Sequence, residues 1–126
     1  QNGTIAAVNY DTENFKNGIT HSTTVNPSQI TVTKTGKYVI QSVVAFAANN
    51  TGRRLSFFRV NGTSADTHYR EGDGIPNASN VARIENVHVL NLTANDYFEV
   101  IAYQTSGGTL GLNVGDSWVT TYLLGT

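Results

Sequence analysis

Apolar and polar residues alternate along this chain in short runs, each closed by Gly, Asn, Asp or Ser. The clearest runs are 29–33, 37–48, 55–60, 81–92, 97–104 and 118–124, with weaker ones at 4–10 and 110–114. A period of two sends successive side chains to opposite faces, so these runs predict half-buried strands. Turn signals lie between them at Thr35-Gly36, Asn49-Asn50-Thr51-Gly52, Asn61-Gly62, Ala94-Asn95-Asp96 and Ser106-Gly107-Gly108. Seven or eight strands in 126 residues predict a sandwich or barrel. The very short Asn95-Asp96 connection predicts that 81–92 and 97–104 form an antiparallel hairpin. Residues 64–80 hold Gly72, Gly74, Pro76 and scattered charges, too polar for a central strand. They read as the one long loop, a kind of segment that more often serves function than mere connection.

Two strands depart from simple alternation. In 37–48 one face carries Tyr38, Ile40, Ser42, Val44, Phe46 and Ala48, and the other carries Val39, Gln41, Val43, Ala45 and Ala47. A strand of an antiparallel sheet usually shows water one polar face, so an apolar second face predicts a cover. A partner subunit would supply it, or else the chain's own loops. The same reasoning extends to Tyr97, Phe98, Val100, Ile101, Ala102 and Tyr103.

Composition sharpens this picture. Val, Ile, Thr and the aromatics number 49, against 33 for Ala, Leu, Glu, Lys, Arg and Gln, so the balance is all-β. No run approaches the roughly 18 apolar residues of a membrane-spanning helix, so no membrane insertion is expected. A net charge of −1 without a run of either sign excludes a protein that grips many phosphates, and the only basic concentration is Arg53-Arg54 with Arg59. There is no Cys, which leaves the redox compartment open. The sequence starts at Gln1 and reads as one domain of a processed or longer chain, with 1–14 a linker plus first strand.

The order of motifs resembles that of the complement C1q and tumour necrosis factor-like domains. Thr33-Lys34-Thr35-Gly36-Lys37-Tyr38-Val39-Ile40 is similar to the entry to their long central strand, and Arg54 to Gly62 to the next strand and its Asn-Gly turn. Asn95-Asp96-Tyr97-Phe98-Glu99-Val100 resembles a Gly-Asp-aromatic segment, with Asn95 where Gly is usual. Asp116 to Gly125, with Trp118 and Tyr122, is similar to the closing strand. The resemblance implies a jelly-roll sandwich of about ten strands that forms a homotrimer at the C-terminal end of a fibrous stalk. The trimer-interface candidates are Tyr38, Phe46, His88, Tyr97, Tyr103 and Tyr122. The Asn- and Thr-rich, Cys-free composition is closest to bacterial and phage versions, which implies an extracellular or virion-surface location.

Catalytic chemistry finds little support. Gly-x-Ser-x-Gly and a Gly-rich phosphate loop are both missing from the sequence, and no two carboxylates are marked as a pair. Asp66, His68, Glu71 and Asp73 could share an ion, and their oxygen-rich set would suit calcium, but the spacing matches no recognised site and no cofactor is expected. His88 reads as a packed or interface residue and His21 as a solvated one. Five Asn-x-Ser/Thr sequons are present, against about three expected by chance, and do not establish glycosylation. What remains is recognition: His68, Tyr69, Arg70, Asn50 and Arg53 offer aromatic and polar groups suited to a cell-surface glycan or protein receptor. The expected role is a non-enzymatic attachment head. The alternatives are a structural cap for a stalk and a monomeric carbohydrate-binding module.

Overall fold

The computed structural model describes residues 5–13, 16, 18–63, 79–113 and 115–126, and the backbone of 70–71. Nine strands occur among them: β1 Ala6–Ala7, β2 Ile19–Thr20, β3 Ile30–Val32, β4 Gly36–Phe46, β5 Arg54–Val60, β6 Arg70–Glu71, β7 Ala82–Leu92, β8 Tyr97–Gln104 and β9 Trp118–Gly125. They form two antiparallel sheets. One runs β2-β3-β8-β5-β6, with β1 also on β8, and the other runs β7-β4-β9.

The six clear runs all became strands, because each has an apolar inward face. Tyr38, Ile40, Val44 and Phe46 of β4 and Ile84 and Leu92 of β7 meet Phe58 of β5 and Phe98 and Val100 of β8 in one core. Full burial of a side chain of this kind stabilises by roughly 1.5–3 kcal/mol, so this layer holds the sheets face to face. Asn86 adds a directional tie, since its Nδ2 donates across the sandwich to the Ser56 carbonyl. Of the weaker runs, 4–10 yields only two paired residues, and 110–114 yields an isolated bridge between Leu112 and Phe46. The two-residue strands β2 and β6 carry no alternating signal, so periodicity misses them.

The predicted hairpin is corrected. β7 pairs with β4 and β8 pairs with β5, β3 and β1, so 81–92 and 97–104 belong to opposite sheets. Both have an apolar inward face, and packing them face to face buries both. The turn between them closes on itself through Asp96 N–H to Thr93 O and also pairs outward: Asn95 N–H donates to Val32 O, Val32 N–H to Asp96 O, and Ala94 N–H to Thr35 Oγ1. Asn95 takes the left-handed conformation (φ 76°) that the corner requires, which Asn tolerates better than most residues. Asp96 accepts from Thr93 N–H at 2.8 Å and from Asn61 Nδ2 at 2.9 Å, while Asn61 Oδ1 accepts from Tyr97 N–H. These two bonds to the carboxylate, Asn61 first, hold the Asp96 carboxyl below the usual range.

Two interface expectations are corrected as well. Tyr38 and Phe46 are 2% and 1% exposed and lie inside the sandwich, so neither can face a neighbour. Tyr97 and Tyr103 lie on the other sheet's outer side, half-buried beside Ile101 and Glu99, which the single chain already buries.

Candidate functional site: an open sheet face and a rigid loop rim

The outer face of β7-β4-β9 follows from register. Val89, Val39 and Tyr122 form one row across the sheet, Val87, Gln41 and Thr120 the next, and Glu85, Val43 and Trp118 a third. Val87, Val89 and Tyr122 are each more than half exposed, and Trp118 is 42% exposed. At one end the chain covers itself: Asp116 reaches over Ala45 to Arg83 at 2.8 Å, and Ala45 and Val43 are buried. The remainder of this face is open and mixed: exposed Val87, Val89, Tyr122 and Trp118 stand beside exposed Glu85, Lys37 and Asn91 and the partly exposed Gln41 and Thr120. Part of the second face of β4 is therefore covered within the chain, and the rest carries no cover among the described residues. Leu124, also exposed, extends the patch at the register irregularity opposite Lys37 and Tyr38.

Tyr122 is the interface candidate that the structure places on this face. His88 sits on the inward side of β7, edge-on to Phe58 with ring centroids 5.8 Å apart. Val87, Val89, Trp118 and Leu124 were not among the candidates. Their signal was available: Trp118, Thr120 and Tyr122 share one side by period two.

The loop candidates divide differently. Asn50 and Arg53 are exposed on the turn between β4 and β5. Arg54 beside them is 2% exposed, and its guanidinium donates to the carbonyls of Thr51 (2.8 Å), Arg53 (3.0 Å) and Asn49 (3.3 Å) while lying 5.9 Å over the Phe46 ring. Burial pushes the Arg54 pKa down. With Arg59 ion-paired to Glu99, the three arginines do not make a basic patch. The turn is locked onto the 104–108 loop by Arg53 N–H to Thr105 Oγ1 and Thr105 N–H to the Arg53 carbonyl. Gln104 braces that loop from within, donating to Gly108 O and accepting from Ser106 N–H. A cleft of about 80 Å³ below the rim, between Val8, Phe46 and Leu112, is far under the ~300 Å³ of an ordinary ligand pocket.

His68 and Tyr69 lie outside the described residues, as do Asp66 and Asp73 of the metal candidates. Arg70 and Glu71 are described by backbone only, as the edge strand β6 on β5. Among the described residues no three His, Cys, Asp or Glu side chains gather as an ion site. His21 is corrected from a solvated residue to a buried one: its side chain is 5% exposed, with both ring nitrogens engaged.

No family model and no curated protein matches the sequence. Solved structures do. Murine APRIL at pH 8.0 superposes with a TM-score of 0.63 at 16% identity, covering 98% of this chain and 88% of that one. APRIL at pH 5.0 gives 0.64 at 13% identity, with 95% and 88% covered. This is the C1q/TNF-like jelly-roll fold. Rabbit GITRL, at 0.53 and 14% identity over 86% of this chain and 78% of that one, belongs to the same group of likenesses. At such identities the likeness is one of fold. For the jelly-roll domain described here, the terminal motif with Trp118 and Tyr122 is strand β9, and the Gly36-Lys37-Tyr38 entry opens β4, as the resemblance implied.

Proposed function

We propose that this domain is a non-enzymatic, self-associating head that attaches a bacterial or phage surface fibre to a cell-surface ligand, with carbohydrate the favoured class. The observation that carries the reading is the exposure of large apolar side chains on the open face of β7-β4-β9. Val87 and Val89 on β7 and Trp118 and Tyr122 on β9 stand in water on a sheet whose water-facing side should be polar. A second and third copy of the chain, arranged by a cyclic three-fold, would bury it. The rim around Asn50 and Arg53, with His68, Tyr69 and Arg70 of the long loop, would then stand in three copies on one particle. Three weak sites on one body raise apparent affinity through effective concentration.

Sedimentation velocity at micromolar concentration tests the assembly. A trimer is expected for the native chain and a folded monomer for Val89→Asp combined with Tyr122→Asp; a monomeric native chain overturns the reading. Glycan-array and whole-cell binding then compare the native chain with Asn50→Ala/Arg53→Ala and with Tyr69→Ala/Arg70→Ala. Loss of binding in either double variant supports the rim and loop as the recognition site, and unchanged binding in both removes them.

A further inference from the structure

Three polar side chains lie where the sandwich is otherwise apolar, and the proposed function uses none of them. Ser42 on β4, Ser56 on β5 and Asn86 on β7 are each 1% exposed or less. Register brings them together. Ser42 stands directly opposite Asn86 on the inward face of β7-β4-β9, with Ile40 and Val44 to either side of it on β4. Asn86 reaches across the sandwich, where its side-chain Nδ2 meets the Ser56 carbonyl. Ser56 shares the inward face of β5 with Phe58, and its cross-strand neighbour on β8 is the core residue Ala102.

The hydrogen bonds at this place do not close within the protein. A carbonyl oxygen only accepts, so the end of the Asn86 amide that meets Ser56 O must be the NH2 group, and Oδ1 needs a donor from elsewhere. Among the described residues none reaches it, and the hydroxyls of Ser42 and Ser56 have no partner either. Two donors and one acceptor thus converge, closed off from bulk solvent. Buried polar groups are regularly paired, and those that the protein does not pair are met by ordered water. The room is of the right kind as well. Ser42, Ser56 and Ala102 are short side chains in a layer otherwise built of Ile, Val and Phe, and a close-packed interior does not leave the space between them unfilled.

We propose that Ser42, Ser56 and Asn86 form a binding site for one internal water molecule that bridges the two sheets. The water oxygen accepts from both serine hydroxyls through its two lone pairs, and one of its protons goes to Asn86 Oδ1. Each of the three side-chain oxygens then has a partner, and the water makes about three hydrogen bonds, as buried waters commonly do. The partners come from both layers, β4 and β7 on one side and β5 on the other. The site therefore adds direction to a contact that apolar packing leaves non-directional, and it fixes how β4 and β7 lie over β5.

The test joins a crystal structure of the whole chain, at a resolution that shows single waters, with water ¹⁷O relaxation dispersion in solution, which counts long-lived waters. The crystal structure is expected to hold one water within hydrogen-bond distance of Ser42 Oγ, Ser56 Oγ and Asn86 Oδ1. In solution the Ser42→Ala/Ser56→Ala variant, with two of the three partners removed, is expected to hold about one long-lived water fewer than the native chain. Ser42 Oγ bonded directly to Asn86 Oδ1 with no water between them overturns the proposal. So does an equal count of long-lived waters in the native chain and a folded variant. If the variant does not fold, the native crystal structure decides alone.

Discussion

Gly52 and Gly107 allow the rigidity of the loop rim to be measured against an internal control. Both have positive φ, 81° and 99°, so Ala at either site carries the left-handed penalty of roughly 1–2 kcal/mol. They differ in surroundings. A Cβ on Gly52 would stand 1.8 Å from the Thr105 carbonyl oxygen, a backbone atom, whereas one on Gly107 meets nothing within 4 Å. Relieving the clash means separating the two loops. That removes the Arg53 N–H to Thr105 Oγ1 and Thr105 N–H to Arg53 O hydrogen bonds, each worth about 1 kcal/mol. Gly52→Ala is therefore expected to cost about 3–5 kcal/mol and Gly107→Ala about 1–2 kcal/mol. For a domain of this size the difference is on the order of 10 °C in Tm. Urea unfolding followed by tryptophan fluorescence, at one fixed protomer concentration, gives both values. Equal costs within about 0.5 kcal/mol would refute the reasoning, because the clash and the interloop bonds would then contribute nothing.

Other outcomes follow from the polar groups. Asp96 has a lowered folded-state pKa, so its contribution to stability is present above the unfolded carboxyl value and is lost as pH falls through the folded one. Asp96→Asn should flatten the acid limb of the stability–pH curve below about pH 4, read by denaturant midpoint. Arg59→Met leaves the nearly buried Glu99 carboxylate with Ser28 alone and should cost about 2–4 kcal/mol, while Arg59→Met with Glu99→Met should recover part of that loss. A double variant less stable than the single one would count against it. Arg83→Ala, which breaks an exposed pair with Asp116, should change monomer stability by less than about 1 kcal/mol.

Most of the fold was legible because every long strand is a bounded apolar or alternating run closed by turn residues, even where β4 and β8 are buried on both faces. The six clear runs coincide with β3, β4, β5, β7, β8 and β9 to within two residues at either end. Sheet membership was less legible. The same short Asn95-Asp96 link serves a hairpin or a sandwich corner, and the choice rests on β3, which takes the turn's backbone hydrogen bonds from far away in sequence. The open face was half legible. An apolar second side on β4 signalled a cover, but only the register showed which neighbours share it, bringing Val87 and Val89 beside Tyr122 and sending Tyr38 and Phe46 inward. His21 was misread because its Glu13 and Pro27 partners are supplied by chain crossing, which no local pattern encodes.

The pairing of β4 with β9 also governs when this molecule can take shape. Gln41 stands opposite Thr120, so the central strand of one sheet waits for residues about 80 positions further on before its second edge is satisfied. β3 waits for β8 in the same way, and β1 does too. Pairings of such long sequence separation demand loop closure before they return any stability, which places folding in the millisecond-to-second range. Until β9 arrives, β4 is paired with β7 on one side only, and its other edge presents unpaired backbone groups that invite wrong pairing. β9 is thus the last of the described strands that this sheet needs before the backbone pairing of β4 is complete on both sides.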